Sequence, residues 1–231
     1  MTNTYRIFIS ILSLSFSCLS FSQQENMVKY TPEFQFKEGF YLNFEQVKEN
    51  APIPKSRILA NIGYNENDFF DQVLTKDNIS FFDVMGTRKD VKTKNIWGFS
   101  RNGVLYVNVN GGFNRVTIVG SICHFVATVT TYNTTYNDPY YNNPYYNPYG
   151  SNYGYGRYPN RQESKEMKQF IIDFHTGNIM EYDREHLKII FMQDPELHDE
   201  YSNLKKKKQR QLKFYYIRKF NERNPLYFPK D

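Results

Sequence analysis

A chain of 231 residues, 40% hydrophobic and with a formal charge of +5, is long enough to bury a core and too mildly basic to require a polyanionic partner on charge alone. Its two cysteines, Cys18 and Cys123, exclude a disulfide-stapled scaffold, so the fold must rest on packing.

Taken in chain order, residues 1–24 carry one charge, Arg6, ahead of a thirteen-residue run from Ile7 to Leu19 dominated by Ile, Leu, Phe and Ser. Ser20 and Ser22 flank Phe21. This is the pattern of a cleavable export signal cut after Ser22, and the run is shorter than the roughly 20 apolar residues that span a bilayer. Lipid attachment at Cys18 would call for an aliphatic residue three positions earlier, where Ser15 stands, so it is not expected. The mature chain (231 less 22, or 209 residues) would keep one cysteine, a charge near +4 once Arg6 is gone, and no transmembrane segment. Its expected place is the periplasm or the cell surface.

Residues 23–39 read as an irregular lead-in and residues 40–131 as strand-rich. Within that block Asn43 can cap a short helix through Gln46, which Pro52 and Pro54 follow. Ile79–Val84 reads as a strand. Ile96–Ser100 and Val104–Asn108 flank Asn102-Gly103, a two-residue hairpin signal in which both positions tolerate positive φ. Asn110-Gly111-Gly112 reverses the chain into Phe113–Val119, and Ser121–Thr131 is a further long strand. Gln169–Phe174 and Ile179–Tyr182 flank a third hairpin turn at Thr176-Gly177-Asn178. Sequential strands joined by tight turns predict an α+β fold built on an antiparallel β-meander, as a curled sheet, roll or small barrel. Asp194-Pro195-Glu196 is a helix start, and one long C-terminal helix is expected from there to Glu222. Leu197, Tyr201, Leu204, Leu212 and Tyr215 would form its inner face, which drifts toward Tyr216, Ile217 and Phe220. With nothing apolar between Lys205 and Gln211, the helix should dock at both ends and run exposed, or bend, through that run. Leu226–Pro229 is an apolar tail that can pack back on the body.

Between strands and helix lies a low-complexity insert, residues 132–161. Ten of its thirty residues are Tyr, seven are Asn, four are Pro, and none is Leu, Ile, Val, Met or Phe. The unit N-x-P-Y-Y occurs twice, at Asn137–Tyr141 and Asn142–Tyr146. Such a composition cannot offset its own ordering entropy and predicts an appendage to a single domain. Exposed rings at Tyr140, Tyr141, Tyr145 and Tyr146 would suit sugar or aromatic partners; an unconstrained surface loop reads equally from the same residues. The run Lys205, Lys206, Lys207 and Lys208, with Arg210 and Lys213, could meet anionic lipid or polysaccharide, or be a solvated helix face favoured by the helix dipole.

Catalytic signals are weak. Cys123 and His124 are strand neighbours and point to opposite faces. Asp173 and His175 share a face at a hairpin end, where polar residues occur anyway. His186 and His198 have no ligand spacing, no phosphate loop or nucleophile elbow is present, and neither metal nor cofactor is expected.

Four stretches, Gly39–Pro52, Asn95–Asn108, Asp194–Lys208 and Tyr216–Pro229, together resemble a group of uncharacterised exported proteins of Bacteroidetes-type bacteria. The resemblance implies a compartment and supplies no catalytic residue. The functional expectation is an exported envelope protein that binds or scaffolds an envelope protein or polysaccharide, with no nucleic-acid partner. The alternative is a periplasmic enzyme of hydrolase type whose motif is not visible.

Overall fold

The computed structural model describes residues 26–135 and 160–230; the expected export signal, Cys18 and Tyr140, Tyr141, Tyr145 and Tyr146 lie outside them. In chain order the elements are β1 (Met27–Lys29), β2 (Gly39–Tyr41), α1 (Phe44–Lys48), α2 (Phe69–Leu74), β3 (Asn78–Phe82), β4 (Arg88–Lys92), β5 (Gly98–Arg101), β6 (Val104–Val109) and β7 (Gly112–Ile118). They continue with β8 (Ile122–Thr135), β9 (Asn160–Asp173), β10 (Ile179–Glu181), α3 (Arg184–Phe191), α4 (Pro195–Ser202), α5 (Lys206–Gln211), α6 (Lys213–Arg223) and β11 (Tyr227–Pro229). Among the described residues no helix is long and apolar enough to cross a membrane.

The predicted meander is present as a seven-stranded antiparallel sheet in the order β10-β9-β8-β7-β6-β5-β2. Its turns have the expected chemistry: Asn102 and Gly103 sit at φ 52° and 73°, Asn110 and Gly111 at 54° and 86°, conformations open to Asn and Gly at little cost. The sheet is not a closed barrel, because β10 and β2 are both left as edges.

The period-2 alternation of the strands sorts their side chains onto two faces. One face carries Tyr41, Leu105, Val107, Val116, Cys123, Phe125 and Ile172, and it is covered by Phe36 and by Phe228 of the tail. The tail packs back as foreseen, with β11 pairing against β1 and Phe228 fully buried. The other face is covered in two places. At the β2–β5 end Phe40 and Phe99 meet Phe69, Phe70 and Val73 of α2 and Ile79 and Phe81 of β3. At the β8–β10 end Ile122 and Ile171 meet Leu187, Ile190, Leu197, Ile217 and Phe220 of the helices.

The single long C-terminal helix is not found; α4, α5 and α6 replace it. Asp194 caps α4 as expected, accepting from the Leu197 N–H at 3.2 Å. The Arg223 guanidinium, hydrogen-bonded to the same carboxylate, holds it below the usual carboxylate range. The chain then leaves helical geometry at Lys205 (ψ 142°) and bends again at Leu212 (φ −98°, ψ 9°). Gln209 explains the first break. Its side chain is buried, and its Nε2 donates to the carbonyls of Tyr201 and Ser202 at 2.9 and 3.1 Å. Those are groups at the end of α4 that a continuing helix would have satisfied. The Tyr201 hydroxyl donates back to the Gln209 carbonyl at 3.0 Å. The inner face does drift to Tyr216, Ile217 and Phe220, all buried, and is corrected at Tyr215, which is 56% exposed.

Candidate functional site

The sheet's two longest strands build the most conspicuous surface feature. β8 and β9 pair over fourteen positions, from Ile122↔Asp173 to Thr135↔Asn160. On one flank β7 pairs with β8 only as far as Phe125, and on the other β10 pairs with β9 only from Phe170 to Ile172. Ala127–Thr135 and Asn160–Lys168 therefore pair with one another alone, a ribbon of nine pairs and about 30 Å at ~3.3 Å per residue. Ala127 is still buried and Val129 touches the core, while Thr128 and Met167 stand exposed. The ribbon reaches four residues into the segment expected to be irregular from Tyr132, because Thr and Tyr favour extended backbone. It connects directly to the segment that holds Tyr140, Tyr141, Tyr145 and Tyr146.

The two edges of this arm differ. Between Ala127 and Thr135 the sequence has no charge, while the β9 side carries Arg161, Glu163, Lys165, Glu166 and Lys168. Charges along a strand edge oppose casual pairing with other strands; the β8 edge lacks that protection.

Lys206 to Lys208 and Arg210 lie elsewhere, on α5, with Lys205 just before it, and all are exposed. None has a carboxylate partner among the described residues. The expected dipole support is kept only in part. Because α4 ends before them, Lys206 and Lys207 open a new helix whose first turn has neither an acidic residue nor a side-chain cap, while Lys208 and Arg210 lie in its last turn. A cation in that first turn is disfavoured, by about 0.3–1 kcal/mol per charge.

The possible catalytic residues are engaged in structure. The Asp173 carboxylate accepts from the His175 N–H (3.0 Å), the Thr176 hydroxyl (2.9 Å) and Gln193 Nε2 (3.2 Å). It closes the β9–β10 turn, and its bond to His175 is to the backbone, so the two are not an acid–base pair. His186 Nδ1 sits 2.9 Å from Asp183, the cap of α3. His198 Nδ1 sits 3.2 Å from Asp199. Burial pushes the Cys123 thiol up to about 12, so it holds no reactive thiolate near neutrality. On the opposite face His124 packs between the Tyr182 and Phe214 rings, with Gln169 Oε1 at 3.1 Å, and burial lowers its pKa. No group of three or more His, Cys, Asp or Glu is placed to hold a metal among the described residues.

An open groove of about 740 Å³ runs between the α1 region and the β3–β4 hairpin, with Leu42, Pro52, Ile53 and Phe81 as apolar lining and Lys37 and Arg57 among its cations. Its carboxylates have structural partners. Asp83 accepts from the backbone N–H groups of Met85 and Thr87 at 2.9 Å each, and Glu38 pairs with Lys55 at 3.2 Å. The groove offers contact area, with no paired acid and base for proton transfer.

These features define an α+β protein whose open antiparallel sheet extends into a two-stranded arm. Residues 39–224 match the Family of unknown function (DUF6563), and the chain belongs to that family. The matched span runs from β2 to the residue after α6 and leaves out the β1–β11 ribbon. Comparison with curated proteins and with solved structures returned no match.

Proposed function

We propose that the protein is an exported component of the cell envelope, in the periplasm or on the cell surface, which binds or scaffolds and does not catalyse. Its partner is an envelope protein or a polysaccharide. The observation that supports this reading is the β8–β9 arm. A ribbon with both edges open beyond Ala127 and Lys168 contributes little to the body's own core. It offers instead two faces and an uncharged strand edge for contacts with another molecule. Placed at its end, the tyrosines at 140, 141, 145 and 146 would bring large contact area at low side-chain entropy cost. Export rests on residues 1–22, and the resemblance to exported proteins of Bacteroidetes-type bacteria is consistent with it.

Photo-crosslinking in envelope extract tests the reading. A photoreactive residue at position 128 or 167 on the arm should give discrete adducts. The same residue at position 189 or 192, where Ile189 and Met192 are 55% and 63% exposed on and just after α3, should give few. Adducts from α3 with none from the arm would refute it.

A further inference from the structure

The lysines of α5 belong to a longer surface. Backbone hydrogen bonds run on through the bend, from the Leu212 N–H to the Lys208 carbonyl and from the Tyr216 N–H to the Leu212 carbonyl. Side chains of α5 and α6 therefore keep a common helical register. Lys207, Gln211 and Arg218 fall at the i, i+4, i+11 spacing of one face, with Phe214 at its edge, where the ring packs on His124 and Tyr182. Lys208, Arg210 and Tyr215 flank them. This face is directed away from buried Gln209, Tyr216, Ile217 and Phe220. Phe214 and Tyr215 are 39% and 56% exposed, and Lys207, Lys208, Arg210 and Arg218 are all exposed with no ion-pair partner among the described residues.

We propose that this face of α5 and α6 is a binding surface for an anionic polysaccharide. Unpaired cations over roughly 16 Å, at ~1.5 Å per residue, complement a repeating anion. The Tyr215 ring beside them, 56% exposed, suits the face of a sugar ring, which stacks on aromatics as other flat partners do. A membrane surface fits less well, since the outward face has one half-exposed ring, Tyr215, and no aliphatic side chain to insert. The proposal involves different elements from the arm, so either can fail without the other.

The test uses the full mature chain, with polygalacturonate and dextran sulfate as anionic probes and dextran as the uncharged control. Binding should appear with both anionic polymers, be absent with dextran, and weaken as salt is raised. Changing Lys206, Lys207, Lys208 and Arg210 together to Gln should lower affinity by roughly tenfold or more while leaving the melting temperature unchanged or higher. Tyr215→Ala should weaken binding severalfold and leave its salt dependence intact. Failure of the wild-type chain to bind either anionic polymer, or undiminished binding by the Gln variant, overturns the proposal. Binding to vesicles containing anionic phospholipid without binding to either polymer overturns it in favour of a lipid surface.

Discussion

Phe220→Ala should destabilise the protein by about 3–5 kcal/mol, the range for removing a large buried aromatic without collapse of the site. Phe220 is 1% exposed, its ring lies 5.6 Å from that of Phe191, and it joins α6 to α3 and α4 above Ile122 and Ile171 of the sheet. The loss strikes the one cluster that fixes all the C-terminal helices, so no neighbouring cluster can take up the slack. Denaturant unfolding monitored by circular dichroism gives the number, with Tyr215→Ala as the control. That side chain is more than half exposed, and its removal should cost under about 1 kcal/mol. A silent Phe220→Ala would mean that α6 is not anchored where its packing places it.

Gly98→Ala is the second large effect, through a different mechanism. Gly98 pairs with Tyr41 on one side and Val107 on the other. A Cβ built there would lie 2.2 Å from the Tyr106 carbonyl oxygen. The obstruction is backbone, which no rotamer change relieves, so β5 and β6 must separate. A cost of about 3 kcal/mol or more follows, at the upper end for overpacked sites. Gly111 is the instructive contrast, with φ 86° and nothing within 4 Å of its would-be Cβ. It is there for conformation, and Gly98 for space. Thermal unfolding of the two Ala variants should differ in size, with Gly98→Ala the worse. Equal small shifts would show that the β5–β6 approach relaxes easily.

The contrast between these glycines reflects what could be read in advance. Turns were legible because their determinants are local: Asn102-Gly103 and Asn110-Gly111 need positive φ whatever surrounds them, and Asn43 and Asp194 cap helices through residues three positions on. Other elements depend on distant partners. β4 is Arg-Lys-Asp-Val-Lys, almost wholly exposed, and is a strand because β3 lies beside it. Its charges concealed it. α2 becomes helix by burying Phe69, Phe70 and Val73 against Phe40 and Phe99, which are far away in sequence. α3 did leave a local trace in Asp183 and the spacing of Leu187, Ile190 and Phe191.

The division of the C-terminal helix is foreshadowed only by the lack of apolar residues between Lys205 and Gln211. No Pro or Gly marks it, and Gln209 reads as one more polar residue in a polar run. Only its two side-chain hydrogen bonds, to the carbonyls of Tyr201 and Ser202, show that it is turned inward. That one orientation also moves Lys206 and Lys207 from the middle of a helix to the start of one, and so changes the sign of their interaction with the dipole. The arm was half visible. The strand at Ser121–Thr131 was clear, but nothing local said that its partner beyond Ala127 would be β9 alone.

The central claim is that the β8–β9 arm is displayed by a body that stands without it. The direct measurement replaces residues 132–163 with a short Asn-Gly turn, closing the ribbon near the Thr131↔Ser164 pair. Thermal unfolding and recovery of partners from envelope extract are then compared with the intact chain. Shortening a connection of this length should alter stability by no more than about 2 kcal/mol, a shift of a few degrees at ~2–4 °C per kcal/mol for a chain of this size. Partner recovery should fall to background. Full recovery of the same partners by the shortened protein would contradict the account.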